Sequence, residues 1–258
     1  MIHIENLTKI YGSCRAVDNI SVDVKRGEFI GVLGASGAGK TTFLRCINRL
    51  VEPTSGRINL NGGKDVMKCG SKELLDVRKK VGMIFQQFGL LKRLSVLDNV
   101  LTGKLGYISP WNAICGFNDE HIEEAYKALE SVELEDKALE RASNLSGGQQ
   151  QRVAIARVLV QNPEIVLADE PVASLDPYSA NTVMKYLKKI NKERGITILS
   201  TLHQVDYATT YTDRIMGMSK GRVIFDGSSS AVKDDVVERI YGVKHQTYCG
   251  EAEVECLC

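Results

Sequence analysis

The chain has 258 residues, 43% hydrophobic and 25% charged, the proportions of a globular domain, and they exclude a disordered, collagenous or coiled-coil protein. Its length allows one large domain or two small ones with a sizeable core. With 33 Lys and Arg against 32 Asp and Glu, a formal net charge of +1 leaves no electrostatic footprint for nucleic acid or an anionic membrane surface.

The apolar stretch from Phe29 to Ser36 falls far short of the about 18 residues that cross a bilayer. The start, MIHIENLTKIYG, lacks the apolar segment of a secretory signal. The seven cysteines are therefore expected to be reduced thiols in a cytosol.

Over the first 60 residues, short runs (MIHIENL, NISVDV, EFIGVLG, GRINLNG) alternate apolar and polar side chains between Gly-bearing turns, which predicts strands. Thr41 to Leu50 reads as a helix, with Phe43, Leu44, Ile47 and Leu50 near helical spacing and Pro53 and Gly56 beyond its end. Lys80 to Phe85 is a further strand. From Ser95 to about Glu140 the pattern is mostly helical, most clearly at Glu120 to Leu129, with a loop-like interruption at 103–117. Ser146 opens a strong helix that Asn162-Pro163 stops. Then follow the apolar strand Ile165 to Ala168, a helix from about Pro177 to Arg194, a strand at 196–202, a short helix, and the strand pair RIMGMSK and GRVIFDG. Wholly apolar strands alternating with helices predict a parallel sheet buried on both faces.

Glycine clusters in two short places. Gly34-Ala35-Ser36-Gly37-Ala38-Gly39-Lys40-Thr41 fits G-x-x-x-x-G-K-[ST] and lies between a predicted strand and a predicted helix, the context in which that pattern binds phosphate. Its glycines let successive N–H groups turn inward, and the helix start adds roughly half a positive charge. Lys40 is expected on the β- and γ-phosphates and the Thr41 hydroxyl on Mg²⁺, with Thr42 following at the helix start. The strand Ile165 to Ala168 ends in Asp169-Glu170. Adjacent strand residues point to opposite faces, so the two acids take different roles: Asp169 toward Mg²⁺, Glu170 toward the attacking water. The structural alternative is a helix cap followed by a first-turn acid. In the second cluster, Leu145-Ser146-Gly147-Gly148-Gln149, Ser146 reads as an N-cap. The glycine pair weakens the helix start, which points to close approach of an anionic ligand; a flexible capped turn is the alternative.

The phosphate loop, LSGGQ, and an apolar strand ending Asp-Glu about twenty residues later together resemble the nucleotide-binding subunits of ABC transporters over nearly the whole chain. The resemblance implies an α/β P-loop NTPase fold with a RecA-like parallel-sheet core, an N-terminal antiparallel β portion and an inserted helical subdomain. The expected boundaries are an ATP-binding domain at 1–246, its helical subdomain at about 90–162, and a tail at 247–258. It further implies that Tyr11 stacks on adenine, and that Gln86, with Gln87 beside it, touches Mg²⁺ or water. By the same resemblance, Ser174-Leu175-Asp176 meets the opposite subunit, and His203 is the switch histidine near the γ-phosphate. Ser146, Gly147, Gly148 and Gln149 would close on ATP held by a second copy of the chain. Partners implied are that copy, transmembrane permease subunits and, indirectly, a substrate-binding protein, at the cytoplasmic face of a bacterial plasma membrane. Tyr11 as a core aromatic and His203 as a structural histidine are the alternatives.

Residues 99–117, with ADEPVASLDP and STLHQVDYA, are similar to the ATPase subunits of phosphonate importers. An exporter ATPase, or an importer of phosphite or phosphate, would carry the same core motifs. A soluble ABC ATPase working on nucleic acid would be expected to show a coiled-coil insertion, tandem cassettes or a basic face, and none is visible. In 103–117, Trp111 with Tyr107, Ile108, Ile114 and Phe117 forms either an exposed apolar docking patch or a loop packed on itself. Cys249, Cys256 and Cys258 fit no zinc spacing and read as reduced tail thiols. Cys46, on the helix after the phosphate loop, is expected to be open to alkylation when nucleotide is absent.

Overall fold

The computed structural model describes residues 2–108 and 116–242. The strands separate by burial pattern into two sheets. β1 (Ile2–Tyr11), β2 (Cys14–Val24) and β4 (Ser55–Leu60) form an antiparallel sheet in the order β2-β1-β4. In β2 the buried Ile20, Val22 and Val24 alternate with exposed Asn19, Ser21 and Asp23, the signature of a sheet with one face covered. β3 (Phe29–Leu33), buried throughout, leaves its neighbours in sequence and enters a six-stranded sheet. That sheet also holds β5 (Val81–Ile84), β6 (Ile165–Ala168), β7 (Thr197–Leu202), β8 (Arg214–Ser219) and β9 (Arg222–Ser228), in the order β5-β6-β7-β3-β8-β9. Its first five members run parallel, and β9 returns antiparallel along β8.

The large sheet divides the core. Phe29 and Leu33 face one apolar cluster, Ile30 and Val32 the other, as a period of two requires. The first cluster is built with α3 (Val96–Leu101), α4 (Asp119–Glu130), α5 (Gly147–Leu159), α6 (Pro177–Arg194), α7 (Val205–Tyr211) and α8 (Asp234–Tyr241). The second joins α1 (Lys40–Ile47), through Phe43, Leu44 and Ile47, to Ile4, Leu7 and Ile58 of the antiparallel sheet. Strands of one sheet therefore support the back of the helix that opens at the phosphate loop.

Several elements differ from the sequence expectation. The Thr41–Leu50 helix spans Lys40–Ile47 and ends at Asn48, followed by Arg49 at φ 51°. Among the described residues between Ser95 and Glu140, the α-helices are α3 and α4, with single 3₁₀ turns at Thr102–Lys104 and Glu135–Lys137. Just after α3 the chain runs so close to α5 that residue 103 must be glycine: a Cβ there would lie 2.2 Å from the Arg157 carbonyl. α2 (Ser71–Lys80) was not foreseen; none of its residues is fully buried, so it shows no strong apolar stripe. α8 buries only Val236, Val237 and Ile240. Trp111 and Ile114, like Cys249, Cys256 and Cys258, lie outside the described residues. Of that loop, Tyr107 reaches the carbonyls of Lys79 and Gln161 at 3.1 and 2.7 Å. Phe117 packs edge-on against His121; both side chains thus pack within the chain. No helix among the described residues is long and apolar enough to cross a membrane.

Candidate functional site

The phosphate loop leaves the carboxyl end of β3 and enters α1. Gly39 caps α1 in the left-handed region, φ 98°, where a Cβ would stand 2.0 Å from the Ala16 carbonyl, so only glycine fits. No side chain caps this helix and no acid lies in its first turn, which leaves its positive end to a ligand. Lys40 is 4% exposed and donates to the carbonyls of Gly34 and Ala35 at 2.7 and 3.0 Å. Burial pulls its ammonium below the ordinary lysine pKa, while Glu170 and Asp169 oppose that pull. Ser36, Gly37, Ala38, Gly39, Lys40, Thr41 and Thr42 line a cavity of about 590 Å³, with Tyr11, Arg15, Lys220 and Glu170 completing its wall. Tyr11 is 48% exposed, so the core-aromatic alternative is excluded. Its ring lies under the Lys9 ammonium at 4.7 Å.

The two acids at the end of β6 diverge as expected. Asp169, 1% exposed, accepts from the Thr41 hydroxyl at 2.7 Å, Thr201 Oγ1 at 3.2 Å and Arg45 Nη2 at 3.1 Å. Glu170 accepts from Gln86 Nε2 at 2.8 Å, and His203 Nε2 lies 2.5 Å from its other oxygen. No helix starts at these residues, which removes the capping alternative. Glu170 sits at φ 49°, a conformation costly for a non-glycine residue. Thr201 Oγ1, accepting from the Glu170 N–H at 2.8 Å, holds it there. That one hydroxyl thereby fixes both acids.

The Thr41 hydroxyl and the Asp169 carboxylate form the oxygen-only donor set that a hard divalent cation prefers. Among the described residues no cluster of three His, Cys, Asp or Glu could hold a metal alone, so a cation here would take its other ligands from phosphate and water. Gln86, expected on Mg²⁺ or water, donates to Glu170 at 2.8 Å.

Ser146 caps α5 in a reciprocal box with Gln149, at 2.9 and 3.3 Å. One glycine of the pair has a second reason within the chain: a Cβ on Gly148 would lie 2.7 Å from Ser179 Oγ and 2.8 Å from Ser179 Cβ. Close approach of α6 thus requires Gly148, a cause within the chain that stands beside the ligand expected to approach the pair. Asp176 caps α6 by accepting from the Ser179 N–H at 3.0 Å. None of Ser146, Gly147, Gly148 or Gln149 lines the phosphate-loop cavity. A separate cleft, also about 590 Å³, is lined by Gln86, Gln87, Phe88, Lys92, Gln150 and Ser174.

Cys46 is fully buried and its thiol is pushed up to about 12 by burial; the expectation that it can be alkylated is corrected, since the thiolate is the reactive form. Arg45, Thr201, Arg15 and Lys220 join the site without having been foreseen. Arg45 was findable, because four residues after Thr41 it shares a face of α1. Thr201 lies two residues before His203, on one side of the strand line. Lys220 reaches the cavity from the β8–β9 turn, which no local pattern announces.

The ABC transporter family pattern matches residues 17–173. The chain is 49% identical to the "Phosphonates import ATP-binding protein PhnC" of Bradyrhizobium diazoefficiens, over 98% of this chain and 94% of that protein. It is also 49% identical to the protein of that name from Staphylococcus aureus, over 93% and 94%. Among solved structures it is similar to the ATP-binding cassette MJ0796 in a dimeric post-hydrolysis state bound to ADP and Pi, with TM-score 0.78 and 35% identity over 89% of this chain and 99% of that one. The ADP conformation of the cassette MJ1267 gives TM-score 0.81 at 29% identity, over 93% and 96%. A capless glycine loop with a buried lysine, two divergent acids on the neighbouring strand end, and similarity across nearly its full length establish that the chain belongs to the ABC transporter family, with the α/β fold of its ATP-binding cassettes.

Proposed function

We infer that the chain is the ATP-hydrolysing subunit of an importer for phosphonates, acting as a pair of copies on transmembrane permease subunits at the cytoplasmic face of a bacterial plasma membrane. The observation that carries the chemistry is Glu170, held by Gln86 and His203 on the wall of the cavity that contains Lys40. A carboxylate that only accepts hydrogen bonds from its neighbours keeps lone pairs for a water proton. Lys40, Arg15 and Lys220 offset the charge of a triphosphate, the loop amides hold its β- and γ-oxygens, and Tyr11 offers a π-face to adenine. Glu170 orients and deprotonates the water that attacks the γ-phosphorus; the bond to the β–γ bridging oxygen breaks, giving ADP and phosphate. His203 steadies Glu170 and the transferring phosphoryl group. Mg²⁺, held by Thr41 and Asp169, would supply neutralising charge on the phosphates.

The signature turn, Ser146 to Gln149, lies away from its own phosphate loop, which supports its use on the nucleotide of a second copy, with Asp176 at the same contact. ATP would then favour the closed pair and hydrolysis its opening. A substrate-binding protein would deliver the phosphonate to the permease, and the phosphonate would not touch this chain. No nucleic acid is involved. The test is reconstitution with permease and binding protein in proteoliposomes. Methylphosphonate is expected to stimulate ATP hydrolysis and to accumulate inside, with Lys40→Ala inactive. Stimulation by phosphate or phosphite alone would reject the substrate class, and absence of ATP hydrolysis would reject the enzyme.

A further inference from the structure

β3 and β7 are neighbours in register as far as Leu33 opposite Leu202. At the next residues, Gly34 and His203, the chains part, one into the phosphate loop and the other toward α7. At such a fork the main-chain groups lose their ladder partners, and each buried one left alone costs about 1–3 kcal/mol. Tyr241 stands there. Its hydroxyl donates to the His203 carbonyl at 2.7 Å, and the Gly34 backbone N–H lies near the same phenol. Burial keeps the phenol above its ordinary pKa, so it remains an O–H donor at neutral pH.

The placement follows from the docking of α8. Ile240, 1% exposed, seats on β8 at Gly217, where a Cβ would come 2.5 Å from Ile240 Cδ1. Gly217 is itself paired with Leu33, so the residue after Ile240 arrives at the end of β3. Gly242 then closes the helix at φ 71°, its N–H on the Glu238 carbonyl at 2.7 Å.

We propose that Tyr241 is a positioning residue for hydrolysis: its hydroxyl clasps the fork between β3 and β7 and fixes the His203 main chain, and through it the imidazole on Glu170, relative to the phosphate loop. The proposal rests on the roles given above to His203 and Glu170. Tyr241→Phe keeps the ring and the Ile240 anchor and removes one oxygen. In steady-state assays kcat is expected to fall about ten-fold, the scale of a small misplacement of reacting groups, with KM for ATP within about two-fold. Amide hydrogen exchange is expected to quicken at Gly34 and not within α8. A kcat within about two-fold of the parent, or a Gly34 amide that exchanges no faster, overturns the proposal. His203→Ala, assayed beside it, separates the two failures: if that variant hydrolyses ATP at the parent rate, the role of His203 fails, and the exchange measurement still judges the clasp.

Discussion

Gly148→Ala asks why the signature turn keeps two glycines. The new methyl would stand 2.7 Å from Ser179 Oγ and 2.8 Å from Ser179 Cβ. The hydroxyl can rotate away, but the Cβ cannot, because the Ser179 N–H is bound to the Asp176 cap of α6. Overpacking of this kind costs about 1–3 kcal/mol, against a gain of at most about 1 kcal/mol from helix propensity. A net loss of about 1–2 kcal/mol lowers Tm by roughly 2–8 °C in a chain of this size. Adding Ser179→Gly removes the obstructing atoms, so thermal unfolding of the double variant is expected to recover most of the loss. ATP hydrolysis is expected to stay at least about ten-fold low, because the methyl still occupies the amide face that the proposed function assigns to the second copy's phosphate. An unchanged Tm for Gly148→Ala would refute the packing argument. Recovery of hydrolysis together with stability would refute the ligand argument.

Arg45→Met leaves Asp169 buried with its hydroxyl donors alone; discounting for the exposed half of the guanidinium, urea unfolding should show a loss of about 1–2 kcal/mol. No measurable loss would mean that the ion pair is idle. Tyr11→Ala should raise KM for ATP roughly ten-fold while Tyr11→Phe does not, as stacking worth about 1–3 kcal/mol requires; equal effects would reject stacking. Iodoacetamide at pH 8 followed by peptide mapping should label the exposed Cys14 and leave Cys46 untouched with or without ATP; labelling of Cys46 at the Cys14 rate would contradict its burial. Hydrogen bonds to Asp23 and Glu5 raise the His3 pKa above 6.5. Its contribution to stability is therefore full below that value and lost as pH rises through the raised one, so His3→Gln should flatten stability against pH in that window. An unaltered profile would exclude the pair.

Features whose cause is local were readable from the chain. The alternation in β2, the unbroken burial of β3, the glycine loop ahead of α1, and the opposed directions of Asp169 and Glu170 follow from periodicity or from one turn's chemistry. What escaped depends on distant packing. α2 buries no residue fully, so it prints no strong stripe, and α8 is only eight residues long, so its apolar face is brief. Gly148 answers to Ser179, 31 positions away in the numbering. Tyr241 reaches His203 only because Ile240 finds Gly217. Cys46 looked accessible from its place beside the phosphate loop, but it points to the core side of α1.

Glu170→Gln tests the central claim most directly, by hydrolysis rate and by sedimentation with ATP. The amide is nearly isosteric and cannot take the water's proton. Hydrolysis is expected to fall by roughly 10²–10⁴, while ATP now holds the chain as a lasting dimer. Hydrolysis at the parent rate, or a chain that stays monomeric with ATP bound, would contradict the assignment of Glu170 as the base and of the second copy as the partner.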